Sequence, residues 1–261
     1  MQLHDVVPVL AVDLGAGVRA GFTTRAGGVS QGPWAGLDLG LAVGDEPGAV
    51  LQNRARLARW AGAPVRFGRQ VHGTTVVRVR VAGVEETPDA ARAAPDGDDE
   101  QEPEADALVT TDRGVPLGVL VAECVPVLLA DAQAGVVATA HAGRRGLLGG
   151  VLHRAVEAMV AAGARPGGIR AGVGPAAGGC CYEVAAEMQA EACAARPELR
   201  ATTSWGTPSL DLRAGAVADL AAAGVADVAL VGGCTVESGD LYSYRRARVT
   251  GRFAGVVALL P

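Results

Sequence analysis

The chain has no lysine: all 23 of its basic residues are arginine. Schiff-base chemistry and a Walker-type phosphate loop both need a lysine amine, so neither is available. Aromatic residues make up only 3% of the 261 residues, and histidine occurs four times. No run approaches the roughly twenty apolar residues that span a bilayer. The beginning, M-Q-L-H-D-V-V-P-V-L-A-V-D, has no basic leader, and Pro8 and Asp13 break its apolar run. Five cysteines form an odd set without a disulfide framework, so free thiols in a reducing, cytoplasmic setting are expected.

What is present is a 49% hydrophobic composition with 37 glycines, which excludes global disorder, collagen and coiled coils. Acidic residues are unevenly spread. Residues 85–106 carry ten of them against the single base Arg92, a local charge of −9 that leaves +4 for the rest of a chain whose formal charge is −5. That segment also holds Pro88, Pro95 and Pro103 and no aliphatic residue larger than alanine, so it reads as a solvated, disordered loop inserted in one domain spanning 1–261. The mildly basic remainder suits a small anionic ligand and not a nucleic acid, and without a spanning apolar run no membrane partner is expected. Nothing in the pattern sets an oligomeric state.

Period-two or short valine-rich runs predict strands at 18–23, 74–81, 115–122, 125–130, 135–140, 169–173, 226–231 and 252–259. Helices are expected at 47–61, buried through Val50, Leu51, Leu57, Ala58 and Ala61 and stopped by Gly62, and at 146–162, where Leu147 to Val160 form a broad apolar stripe. Two more are expected at 183–195 and at 211–223, the latter with Asp211 as N-cap and Gly224 as stop. Strands and helices alternate loosely, which predicts an α/β fold of mixed β-sheets packed by helices.

Of the histidines, His4 and His153 read as peripheral, whereas His72 in Q-V-H-G and His141 in A-H-A-G sit beside glycines at expected strand ends. If 125–130 and 135–140 pair around D-A-Q-A-G with Asp131 opposite Gly135, Cys124 faces position 142, next to His141. Strand neighbours lie about 4.5–8 Å apart, near enough to share an ion. His72, Cys124 and His141 then admit three readings. They are a zinc site with an open position, a Cys124 nucleophile with His141 as base, or a buried cysteine beside two satisfied rings. The run H-A-G-R-R-G-L-L-G-G (141–150) puts Gly143, Gly146, Arg144 and Arg145 at a helix entry suited to an anion. The adjacent Cys180 and Cys181 read as packing residues, since neighbouring cysteines form a disulfide only with strain.

The same residues carry a resemblance to the YfiH-type proteins, also called laccase-domain or multicopper polyphenol oxidase proteins. It runs through T-T-R-A-G-G-V-S (23–30), L-D-L-G (37–40), V-G-D-E-P (43–47), N-R (53–54), Q-V-H-G (70–73) and A-D-A-L-V-T (105–110). It continues with E-C-V-P-V-L-L-A-D (123–131), A-H-A-G-R-R-G (140–146), G-V-G-P (172–175), C-C-Y-E-V (180–184), L-D-L (210–212), C-T (234–235) and Y-S-Y-R-R (242–246). The resemblance implies an α/β sandwich with mixed sheets and a zinc ion on His72, Cys124 and His141. It also implies a purine nucleoside phosphorylase, acting on adenosine, inosine, guanosine or methylthioadenosine with phosphate, together with adenosine deamination. Bacterial members are further described as peptidoglycan editing factors that remove a misplaced serine from a cell-wall precursor. A Cys124-dependent amide hydrolase and a non-catalytic zinc scaffold are accordingly the rival expectations.

The oxidase label implies copper, which a His₂Cys set can bind, but four histidines are too few for a multicopper laccase. The zinc-deaminase pattern H-x-E with P-C-x-x-C is absent. For phosphorolysis, Arg25, Arg145 and the Gly143 to Gly146 amides are the candidates to hold phosphate. Three positions depart from the family pattern: Glu123 for aspartate, Arg144 for tryptophan and Asp38 for asparagine.

Overall fold

The computed structural model describes residues 7–81, 83–85 and 102–261, with Glu85 described through its backbone alone. Most of the expected acidic loop lies outside the described residues. Its last residues, however, are not solvated. Glu102 and Glu104 pair with Arg54 and Arg69, and Asp106 is 2% exposed.

Two sheets stack face to face. The smaller is antiparallel and runs β1 (Val9–Ala11), β2 (Val18–Thr23), β13 (Phe253–Leu259), β6 (Leu117–Val121). The larger has seven strands in the order β12 (Asp227–Leu230), β9 (Arg170–Val173), β7 (Val125–Asp131), β8 (Val136–Ala142), β5 (Ala107–Thr110), β3 (Val76–Arg80), β4 (Gly83–Glu85). It is mixed, because β12 with β9 and β3 with β5 are parallel while the other pairs are antiparallel. Between the sheets lies a layer of Phe22, Val119, Leu128, Val137, Phe253 and Val257. Burial of such side chains, worth about 1.5–3 kcal/mol each, is what joins the sheets.

Helices cover both outer faces. Leu57 and Ala61 of α1 (Pro47–Ala61) pack on Ala254 and Val256, the outward residues of β13. On the other side α2 (Arg144–Leu148), α3 (Val151–Ala161), α4 (Ala186–Ala195) and α5 (Leu212–Ala222) cover the outward residues of β7 and β8, among them Val127, Leu129, Ala138 and Ala140. A two-stranded ribbon, β10 (Arg200–Thr202) with β11 (Pro208–Leu210), joins the last two helices. The fold is thus the expected α/β arrangement of mixed sheets sandwiched by helices. No helix among the described residues is long and apolar enough to cross a membrane.

Three local expectations need correction. The helix expected at 146–162 is two helices, because Gly150 adopts φ +88°, a left-handed conformation that interrupts the right-handed spiral. In α1, Leu51 is 58% exposed, and the inward position beside Leu57 belongs to Asn53, which is fully buried. Its side chain donates to Ser30 Oγ, Gly36 O and Asp38 O and accepts from the Val29 amide, tying the 29–38 loop to the helix. The β7–β8 register differs by one residue: Asp131 pairs with Val136, not Gly135. The Asp131 carboxylate accepts the Ala134 amide at 3.0 Å and closes a turn one residue longer than expected.

Candidate metal centre

The register places the site. In an antiparallel pair, directly opposed residues share a face and alternate residues return to it. Pro126 pairs with His141, so position 124 opposes Gly143, and the side chains of Cys124 and His141 point to the same, inter-sheet face. The expected register would have put them on opposite faces.

His72 arrives from the bend before β3 and not from a strand end. Its φ is +63°, the left-handed region that residues with a Cβ seldom enter. Asp106, just ahead of β5, holds it there. One carboxylate oxygen accepts the His72 amide at 3.0 Å, and the other accepts Gly73 at 2.7 Å and Val71 at 3.3 Å. The first oxygen also bonds His141 Nδ1 at 2.8 Å, which leaves His141 Nε2 free for the cluster. Cys124 Sγ lies 3.7 Å from His72 Nε2, and the two rings meet edge to face at 4.8 Å between centroids.

The donor atoms of His72, Cys124 and His141 all lie within 4.8 Å of one another. Gly143 makes that approach possible: a Cβ there would stand 2.7 Å from His72 Cδ2 and 3.1 Å from Cys124 Sγ. The groups of the cluster shift one another's protonation. Burial alone would push the Cys124 thiol up, but hydrogen bonds with His141 and His72 outweigh it and bring the thiol down to about 6. Burial likewise opposes protonation of His141, yet its bonds to Asp106 and Cys124 raise it to about 9. Asp106 is held below the usual carboxylate range: burial would raise it, and His141 and the Gly73 amide prevail. Two imidazole nitrogens, one thiolate and a carboxylate behind one histidine fit zinc with its fourth position open. The same donor set accepts copper.

This cluster lies in the wall of a cavity of about 700 Å³. Six arginines contributed by distant segments also line it: Arg54, Arg69, Arg144, Arg245, Arg248 and Arg252. Arg54 and Arg69 are paired with Glu102 and Glu104, and Arg245 with Glu123. Arg144, Arg248 and Arg252 have no carboxylate in salt-bridge reach among the described residues, and Arg252 is instead engaged by the Thr250 and Gly251 carbonyls. Tyr182 also lines the cavity, and its ring lies 4.3 Å beneath the Arg245 guanidinium. Arg248 stands over Tyr244.

The structure divides the candidates for holding phosphate. Gly143 is at the cluster, but Gly146 is small for a different reason, since a Cβ there would strike Gly73 O at 2.8 Å. Arg145 is exposed and outside the cavity lining, where Arg144 takes its place. Arg25 is also outside it, donating to Ala35 O at 3.0 and 3.2 Å beneath the Tyr242 ring. Glu123 turns away from the cluster and accepts from Ser243 Oγ at 2.9 Å and from the Arg245 amide. His153 lies near Asp219 on the helical layer, and His4 is outside the described residues. Asp106 and the arginines at 54, 69, 245, 248 and 252 are what residue-level reasoning missed, whereas Arg144 was marked as a flank of the anion-suited helix entry. For Asp106 the available signal was its place in A-D-A-L-V-T, immediately before an apolar run.

Residues 19–260 match the family model described as multi-copper polyphenol oxidoreductase laccase. A purine nucleoside phosphorylase of Streptomyces griseus is 52% identical over 241 residues, covering 91% of this chain and 93% of that protein. Another from Streptomyces coelicolor is 50% identical, with coverage of 93% and 96%. Among solved structures, a Neisseria meningitidis protein superposes with a TM-score of 0.82 at 36% identity, covering 97% of this chain and 99% of that one. Bacillus licheniformis YfiH does so with a TM-score of 0.84 at 29% identity, covering 98% and 97%.

Proposed function

The chain belongs to the multi-copper polyphenol oxidoreductase laccase family, and from that premise we propose that it is a zinc-dependent purine nucleoside phosphorylase. The observation that carries the reading is a His₂Cys cluster set in the wall of an arginine-lined cavity large enough for a nucleoside. Phosphorolysis breaks the bond between ribose C1′ and the purine nitrogen and forms one from C1′ to a phosphate oxygen. The base departs with the electron pair and takes up a proton.

Arg144 and Arg248, unneutralised by carboxylates, are the groups to hold phosphate, in place of Arg25 and Arg145. Tyr182 and Tyr244 offer flat walls for a purine or ribose. His72, Cys124 and His141 would hold the ion, with Asp106 fixing both histidines. Zinc bound there supplies a Lewis acid for the polar edge of the substrate. Adenosine deamination belongs to the same proposal as a secondary activity. The laccase label is not carried over, because four histidines cannot ligate a multicopper centre.

A second reading has its own observation. Without metal, Cys124, His141 and Asp106 form a thiolate, imidazolium and carboxylate in series, the constellation of a cysteine hydrolase acting on an amide, such as that of a cell-wall precursor. Purified protein assayed with adenosine, with and without phosphate and beside Cys124→Ala, separates the two. Adenine and ribose 1-phosphate formed only with phosphate, and lost in the variant, support phosphorolysis. Turnover that survives phosphate removal, or none on any purine nucleoside, defeats it. Amide hydrolysis that persists in chelator would instead favour the second reading.

A further inference from the structure

A second group of soft donors lies outside this cavity. Cys180, Cys181, Cys234 and Glu237 offer one ligand atom each, all within 4.8 Å of one another. Cys180 and Cys181 follow β9 in a turn, and Cys234 and Glu237 belong to the segment after β12. The two stretches are joined by a bridge between Ala176 and Cys234. Cys180 and Cys181 are free thiols as expected, and Cys181 is buried, but Cys180 and Cys234 are only half-buried and Glu237 is exposed, so solvent reaches the group. Glycine again permits the approach, because a Cβ on Gly178 would stand 3.1 Å from Cys180 Sγ and 3.3 Å from Cys234 Cβ.

The backbone around Cys234 is arranged for a thiolate. Arg246 gathers the carbonyls of Thr235, Val236 and Ser238 on one side of the segment. The Gly178 amide donates to Cys234 Sγ at 3.3 Å, and the backbone amides of Val236 and Glu237 favour its ionised form. Such a ring of N–H groups stabilises an anion. Nearby, Arg213 keeps a buried Nε without a hydrogen-bond partner, and its positive charge acts on Cys234. Burial pushes the Cys180 and Cys181 thiols up, and neighbouring Cys234 adds to it. Burial pushes Cys234 in the same direction, but its backbone amides prevail and lower it.

We propose that Cys180, Cys181, Cys234 and Glu237 form a second metal site, for a thiophilic d¹⁰ ion such as zinc, separate from the His72, Cys124, His141 centre. Three sulfurs and one carboxylate make a closed tetrahedral set, the composition of a structural site and not of a catalytic one. Loading it releases the protons of the thiols that ligate the ion. The ion fastens the turn that leads directly into Tyr182, a residue of the cavity wall. That turn also reaches the catalytic side through the Ala177 amide, which donates to Glu123 O at 2.9 Å.

The test is anaerobic titration of the reduced, metal-stripped full chain with Co²⁺, read by thiolate-to-cobalt absorption. Two equivalents per chain are expected, one with about three times the charge-transfer intensity of the other, as thiolate count dictates. Cys234→Ser removes the stronger band and Cys124→Ser the weaker. Glu237→Gln, at an exposed position that does not threaten the fold, weakens only the second equivalent, by about tenfold or more. A single equivalent lost with Cys124→Ser overturns the proposal. So does a fresh, unreduced protein showing two fewer than its five thiols, which would mean that this group is a disulfide pair.

Discussion

Asp106 orients both histidines of the metal centre at once: its carboxylate bonds His141 Nδ1 at 2.8 Å and the His72 backbone amide at 3.0 Å. A carboxylate behind a ligating histidine sets its tautomer, and removing such a partner commonly costs 10- to 100-fold in metal affinity. Asp106→Asn is therefore expected to weaken zinc at the His72, Cys124, His141 centre by about that factor. Competition with a chromogenic chelator measures it. Unchanged affinity would deny Asp106 its orienting role.

Gly143 faces Cys124 across β7 and β8 with no room for a methyl group. Gly143→Ala must displace His72 or Cys124, at a cost of about 1–3 kcal/mol in stability. Thermal melting should register a loss of several degrees, and metal content should fall with it. A variant that keeps its metal at full stoichiometry would show that the cluster tolerates wider spacing.

Arg144 and Arg145 are neighbours in sequence but only Arg144 reaches the cavity. Losing a charged hydrogen bond is worth about 1.5–3 kcal/mol, so Arg144→Ala should raise the KM for phosphate roughly tenfold or more. Arg145→Ala should leave it near the parent value. The reverse ranking in initial-rate kinetics would return the anion to the exposed side of α2.

Much of this was legible in the residues themselves. Asp211 caps α5 by accepting from the Arg213 and Ala214 amides, and Gly62 ends α1 with φ +96°, because these signals act within one turn. The trio of His72, Cys124 and His141 could be named but not oriented. A one-residue difference in the β7–β8 turn decides which face carries Cys124, and it depends on how the Asp131 side chain closes that turn. Asp106 was hidden by its company, since the acids that precede it argue for a solvated loop. The arginines of the cavity come from segments as far apart as 54 and 252, and no local pattern marks side chains that converge only after two sheets have stacked.

Asp38 supplies a pH dependence. It is fully buried beside Asp45, and burial raises its carboxyl from 3.8 to about 6 against the pull of the Gly40 and Arg252 amides. The folded protein keeps this proton up to about pH 6, whereas the unfolded chain releases it near the ordinary aspartate value. Folded protein therefore binds more protons within that window, and stability is lost as pH rises through it. Asp38→Asn keeps an oxygen for both amides and gives Asp45 a donor, so it should remove the slope. It should also stabilise the protein at pH 7.5 by on the order of 2–3 kcal/mol. Urea denaturation at pH 4.5 and 7.5 tests this, and parallel pH profiles for parent and variant would refute it.

The position of β13 has a consequence for how the protein is made. Residues 253–259 lie between β2 and β6 and hydrogen-bond to both, so the smaller sheet has no centre until residue 259 has left the ribosome. Until then β2 and β6 each present an unpaired edge, and the larger sheet lacks the Phe253 and Val257 side chains that pack against it. Pairings between such distant residues form slowly, and exposed edges are where chains adhere to one another. A nascent chain stalled before residue 253 thus lacks the strand that joins β2 to β6 and leaves both of their edges open to other chains.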